Sequence, residues 1–421
     1  GRPGFDDWQV FVLAAVRLGC NLDYDKLQNL AEDHRSLRSI LGIGSWDEST
    51  SFGFRRIRDT LCMLKPDTIK KINQLIVRHG QNLHGEASTA VRADSFVVET
   101  NIHYPTESSL IWDGIRKLMP LCVELAAELG QSGWRQSQHL RRRIQKLHQQ
   151  INLVSASKAA GKKNVLESLY CDLIERAGHL LDRAKSLQKR AEIECDVTSL
   201  GKVKQLAQWI ELTDRVRDTA HRRIVLGQAV PNDEKLFSLF ETHTQLYKRG
   251  KAGEPVQFGR MALIFEDAAG FISHYHLMDR EASDRGVIVE QTREAQRLHR
   301  GAIHKASFDR GFHSADNEAK LANIVAEVCC PPRHPAVYAE RMTNASVEFR
   351  RARQRHPGIE SAIGALQSGN GLKRCRDRSE LGIERYLGLA ILGRNLHVLG
   401  KLLIGRKHRA AAAAISQRQA A

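Results

Sequence analysis

Between residues 5 and 90, apolar positions recur at helical spacing in short runs broken by Gly and Pro. Trp8, Phe11, Val12, Ala15, Val16 and Leu18 keep that spacing and Gly19 stops the run. Asp23 opens a second helix as N-cap, a third runs around Leu37 to Leu41 before Gly42 and Gly44, and Pro66 starts another through Ile69, Ile72, Leu75 and Ile76. The expected unit is an all-helical N-terminal domain over 1–88. Such a cluster suits either a helix-turn-helix-like DNA reader or a dimerisation domain, and nothing in it specifies base edges.

The pattern changes at Thr89. The segment to Tyr104 is rich in β-branched and aromatic residues, carries Asp94 and is closed by Pro105, which predicts a strand. No proline occurs between Pro120 and Pro231, and Leu166, Leu169, Leu173, Ala177, Leu180, Ala184 and Leu187 recur every three or four residues. This predicts a long helical hairpin or small bundle, with a turn at Ala159 to Lys163 and an earlier helix over Gln136 to Leu153. Strand character returns from Pro255 to Glu266. A turn over Asp267 to Gly270 and a second strand from Phe271 to Met278 complete a hairpin. A helix over Gly286 to Arg300, a strand ending at Asp309, a short helix over Asn317 to Ala322 and an apolar strand over Ile324 to Cys330 follow. Asn344 to Leu366 is helical in pattern, with Pro357 restarting the helix that holds Glu360. The Ala-rich tail is expected to fray.

This order of elements predicts an α/β fold, a mixed sheet flanked by helices with a long helical insertion after the first strand. The expected boundaries are 1–88 for the N-terminal domain, 89–108 for the first part of the core and 109–250 for the insertion. The rest of the core follows over 251–405, and a basic tail over 406–421.

Composition narrows the function. The chain has 421 residues, with 64 Lys and Arg against 48 Asp and Glu, a net charge of +16. From Arg341 onward there are 16 basic and 5 acidic residues, so eleven of the sixteen surplus charges lie in the last fifth. Arg350, Arg351, Arg353 and Arg355 form one cluster, and Lys373, Arg374, Arg376 and Arg378 a second. Arg406, Lys407 and Arg409 form a third. Nucleic acid suits such a field because Lys and Arg release counterions from phosphate; a merely solubilising surface is the alternative. Eight cysteines without a C-x-x-C pair predict reduced structural thiols rather than a zinc site or a disulfide scaffold. No window approaches the roughly 18 uncharged apolar residues of a spanning helix. The start, Gly1 to Phe5, has no charged-then-apolar leader, which predicts a cytoplasmic protein.

Three carboxylates lie where the expected sheet would gather them: Asp94 in the first strand, Asp309 at the end of a later one, and Glu360 on a following helix. Carboxylates so close need cations to stay ionised, and hard oxygen ligands suit Mg²⁺ or Mn²⁺. With 48 acidic residues many triples exist, so chemistry alone leaves open a strand-edge Asp94, a turn-forming Asp309 and a helix-terminal Glu360. Glu99 faces the other side of its strand by alternation. His304 and His313 read as strand and turn histidines, and Trp112, Trp134 and Trp209 as helical core or interface.

The segment from Ala93 (ADSFVVETNIHYPTESSL) resembles the first-aspartate segment of DDE transposases of bacterial insertion sequences. KASFDRGFHS, from Lys305, is similar to their second-aspartate segment. HPGIESAIGALQ, from His356, followed by GLKRCR from Gly371 and GRNLH from Gly393, is similar to the segment around their glutamate. The Trp8 to Leu41 region also resembles their helical start. The resemblance implies an RNase-H-like core in which Asp94, Asp309 and Glu360 hold two Mg²⁺ ions. It further implies nicking at transposon ends and attack of the freed 3′-OH on target DNA. Double-stranded DNA, at transposon ends and at the target, is the implied partner, on the bacterial nucleoid. Paired ends imply a homodimer.

One branch of that family carries Tyr, Arg and Lys seven and four residues before and seven after the glutamate. Here those positions are Arg353, His356 and Gln367. Arg353, Lys373, Arg374 and Arg376 are the expected substitutes for that phosphate clamp, against plain surface charge. For the insertion, DNA-end binding through Arg141, Arg142, Arg143 and Lys146, subunit contacts through the leucine seam, and scaffolding all stay open. The competing function is a silent or domesticated relative that binds DNA without cutting it.

Overall fold

The computed structural model describes residues 4–44, 47, 49–84, 89–248 and 255–420, with side chains to residue 413. The chain is mixed α/β and divides into two compact units, 1–101 with 259–421, and 102–258.

The first unit opens with five helices, α1 (Asp7–Gly19), α2 (Tyr24–Asp33), α3 (Arg35–Ile40), α4 (Phe54–Cys62) and α5 (Pro66–His84), and continues into β1 (Ala90–Thr100). The caps foreseen in the sequence form: Asp23 accepts from the Lys26 amide at 2.8 Å, and Pro66 is the first residue of α5.

The second unit is a four-helix bundle of α6 (Glu107–Glu128), α7 (Ser137–Ala156), α8 (Lys162–Glu194) and α9 (Leu200–Ala220), with a short strand β2 (Gln245–Tyr247) on the return. Its core draws Leu118 and Cys122 from α6, Leu173, Leu180 and Leu187 from α8, and Leu206 and Ile210 from α9. The leucine seam therefore faces its own bundle. Pro120 sits inside α6. A Cβ at Gly114 of α6 would stand 2.1 Å from Thr213 Oγ1 of α9, so the two helices meet where one of them lacks a side chain.

After the bundle come the hairpin β3 (Gln257–Asp267) and β4 (Ile272–Leu277), α10 (Asp284–Leu298), β5 (Lys305–Phe308), α11 (Ala315–Ala322) and β6 (Glu327–Cys329). Then follow α12 (Pro335–Thr343), α13 (Val347–Arg355), α14 (Gly358–Gly369), β7 (Arg374–Cys375) and α15 (Glu380–Ala420). The strands of this unit run in the order β4-β3-β1-β5-β6, with β7 on the far end of β1. β3 is antiparallel to β1 and β4, while β5 and β6 run parallel to β1. The sheet is thus mixed, as the element order predicts.

Four expectations change. The N-terminal helices are not a separate domain: Leu13 and Leu18 of α1 and Ile69 of α5 share one core with Phe96 and Val98 of β1, Ile264 of β3 and Leu387 and Ile391 of α15. α4 and α12 were not foreseen, and the apolar run at Ile324 yields only a three-residue strand. The tail does not fray, because α15 carries it to Ala420. Finally, the stretch Glu380–Ala413 is long and apolar enough to cross a membrane, but half of its apolar window is buried inside the protein. Tyr386, Leu387, Ala390 and Ile391 place that apolar face in the core.

Candidate functional site

Two strands far apart in sequence meet in parallel register at the site. Ala90, Val91, Arg92 and Ala93 of β1 stand opposite Lys305, Ala306, Ser307 and Phe308 of β5. Asp94 is the next residue of β1, and Asp309 is the residue that follows β5. Parallel neighbours are about 4.8 Å apart, so the last pair of the register, Ala93 and Phe308, sets side by side the two strands that lead into these aspartates. Asp309 keeps extended backbone (φ −77°, ψ 165°), and its carbonyl accepts from the Phe312 amide at 3.2 Å in the turn that ends the strand. Asp94 is half-buried and Asp309 exposed.

Glu360 lies in the first turn of α14, which packs on β1 and α15 through its buried Ile359, Ala362, Ile363 and Leu366. Its side chain is exposed. The elbow between α13 and α14 is fastened to the rung just before the aspartates. There Arg92 Nε meets Glu266 Oε2 at 2.6 Å across the β1–β3 pair, and Arg92 Nη1 donates to the Arg355 carbonyl at 3.0 Å. On the neighbouring strand Ser307 Oγ and His356 Nδ1 share a hydrogen bond of 3.1 Å, with both residues buried. Burial pushes the His356 imidazole down to about 4, against the opposing pull of the Asp309 charge, so the ring is neutral. A Cβ at Gly358 would lie 2.2 Å from Arg92 Nη1, and glycine alone admits this approach of helix to strand.

Among the described residues, no three His, Cys, Asp or Glu side chains are grouped closely enough to hold one metal ion. Asp94 and Asp309 each follow the last register pair of β1 and β5, and Glu360 stands in the first turn of α14, which packs on β1. The donor set is all carboxylate oxygen, which suits a hard divalent cation.

The basic residues differ in exposure and in what their side chains meet. Arg141, Arg142, Arg143 and Lys146 line the exposed side of α7, with the Arg141 guanidinium 5.9 Å from the Trp112 ring. Lys373 is exposed, and Arg374 lies 3.7 Å from Glu99, the acid that alternation had turned away from Asp94. Arg376 departs from its expected role. Its Nε donates to Tyr386 Oη at 3.0 Å and its Nη2 to Asn21 Oδ1 at 2.7 Å, so its guanidinium ties β7 to the N-terminal helices rather than facing DNA. Arg353 is half-buried, and its positive charge lowers the Tyr338 phenol from its ordinary pKa. The histidines and tryptophans keep ordinary roles: His313 sits 3.4 Å from Glu318, Trp134 is buried under Arg183, and Trp209 packs edge-on against Phe240.

Arg92, Ser307 and His356 were not singled out from sequence. A signal existed for the first two: each precedes an aspartate by two residues and so shares its face of the strand. No protein-family model, no curated protein and no solved structure matches this chain.

Proposed function

We propose that this protein is a DNA transposase that binds the terminal inverted repeats of its element and carries out divalent-dependent strand cleavage and 3′-OH strand transfer. The observation that supports the reading is the β1–β5 register, whose last pair, Ala93 and Phe308, immediately precedes Asp94 and Asp309, together with the packing of α14, which carries Glu360 in its first turn, on β1. The mixed sheet, antiparallel on one side of β1 and parallel on the other, supports an RNase-H-like core.

In this reading Asp94, Asp309 and Glu360 hold Mg²⁺, with Mn²⁺ as a substitute. The bound ions would activate the attacking water or 3′-OH and stabilise the leaving oxygen of an in-line displacement at phosphorus. The chain's own part is positioning and charge, which is most of what phosphoryl transfer asks of a protein. The elbow latched by Arg92 and His356 fixes the start of α14, whose first turn bears Glu360. Arg353, Lys373 and the basic face of α7 draw in the DNA backbone. Two DNA ends would bring two copies of the chain together, on the nucleoid.

The test is cleavage of labelled duplexes carrying the DNA that flanks the gene. Mg²⁺-dependent nicking followed by joining to a target plasmid is expected, abolished in Asp94→Asn, Asp309→Asn and Glu360→Gln with duplex binding retained. Tight binding by the wild-type chain without any cleavage would instead establish a DNA-binding relative that does not cut.

A further inference from the structure

Immediately after Asp309 the chain builds a second, cationic feature. The Arg310 guanidinium carbon lies 3.9 Å above the Tyr338 ring, so a cation from the end of β5 stacks on an aromatic from α12. Arg353, from α13, is close enough to the same tyrosine for its guanidinium to favour the phenolate. Arg353 and Arg310 together hold that phenol below its ordinary pKa, as two nearby positive charges should.

What makes the arrangement unusual is its charge balance. Among the described residues, neither Arg310 nor Arg353 lies within 4 Å of a carboxylate, and Arg310 Nε is buried without a hydrogen-bond partner. Arg341, on α12 with Tyr338, is the opposite case: its guanidinium is paired with Glu318 at 2.5 Å. Two like charges held on one side chain without a counterion repel each other, and an anion between them would turn that repulsion into attraction.

We propose that Arg310, Tyr338 and Arg353 form a clamp for a phosphodiester of the DNA strand engaged at Asp309. A guanidinium gives a phosphate a planar fork of donors, and the phenol offers a further O–H between the two forks. The clamp rests on the transposase reading, since it takes its ligand from the same strand. It does not use the Lys373 region, so it is a separate point of contact.

The experiment measures equilibrium binding of a fluorescent duplex by the full chain in the Asp309→Ala background, without divalent ions, over a range of salt. Arg310→Gln and Arg353→Gln should each weaken binding and reduce the slope of log K against log salt by about 0.9, the share of one neutralised phosphate. Arg310→Lys and Arg353→Lys, which keep the charge, should restore the slope, and Arg341→Gln should leave it unchanged. Tyr338→Phe keeps the stacking surface and should cost less affinity than Tyr338→Ala. Thermal melting of each variant identifies any that fails to fold, and the lysine pair then decides the matter. Unchanged slopes in both glutamine variants, with tight wild-type binding, would overturn the clamp and leave the transposase reading standing. A wild-type chain whose binding is absent or insensitive to salt would overturn both.

Discussion

His356 Nδ1 lies 3.1 Å from Ser307 Oγ, and both residues are shut away from solvent two positions before Asp309 on the same strand and four before Glu360 on the next helix. The hydrogen bond therefore joins the strand that bears one carboxylate to the elbow that sets the direction of another. Ser307→Ala leaves a buried ring nitrogen without its partner and should destabilise the fold by about 1–3 kcal/mol. Turnover should fall by more than this loss of folded protein explains, with duplex affinity unchanged. Ser307→Thr, which keeps the hydroxyl, should recover much of the turnover. Chemical denaturation combined with single-turnover cleavage checks both.

Two glycines of α14 should respond to alanine with opposite signs. At Gly358 the new methyl would meet Arg92 Nη1, which Glu266 and the Arg355 carbonyl hold in place, so Gly358→Ala should cost about 1–3 kcal/mol. At Gly364, inside the same helix, nothing lies within 4 Å of the added Cβ. Gly364→Ala should therefore gain about 0.5–1 kcal/mol through helix propensity. Urea midpoints of the two variants make the comparison directly.

Arg17 and Asp377 meet at 2.6 Å with side chains only 1% and 2% exposed, joining α1 to the segment before α15. Removing one member leaves the other charge buried. Arg17→Met should cost about 3–5 kcal/mol, with Arg385, 3.6 Å from Asp377, giving partial compensation. DNA binding per folded molecule should not change. A loss of affinity with stability intact would place Arg17 on the DNA instead.

Acid should destabilise the protein through its buried histidines. Burial lowers His274 to about 3 and His356 to about 4, against an ordinary 6.5. A depressed folded-state value means the contribution is fully present above pH 6.5. It is lost as pH falls toward 4, because the unfolded chain takes up protons that the folded chain refuses. For His356 this amounts to on the order of 3 kcal/mol. Asp267 acts in the other direction. Burial raises it to about 6, so its contribution is present below pH 3.8 and lost as pH rises through 6. Asp267→Asn should therefore steepen the acid loss between pH 6 and 4, and His356→Gln should flatten it. Melting temperatures from pH 4 to 8 read both effects.

The strands and helices around the site were legible because their patterns are local. The β-branched run through Asp94, the hairpin around Asp267 to Gly270 and the Pro357 restart each declare themselves within a dozen residues. Asp94 and Asp309 were expected at one sheet edge, but the β1–β5 register is a property of pairing between distant segments, and no local pattern encodes it. The merging of the N-terminal helices with the sheet was hidden for a related reason. An apolar helix face such as Val12 and Leu18 looks the same whether it packs on other helices or on α15. Arg376 misled because composition reports charge and not the hydrogen bonds that occupy it.

Glu99 of β1 and Gly259 of β3 are antiparallel partners. The whole of 102–258 is therefore inserted, in sequence, between two strands that pair directly. A tight Asn-Gly turn is, in principle, enough to bridge the gap. Lengthening the chain between the two strands is then a change of loop length, whose entropic cost grows only slowly with the number of residues added.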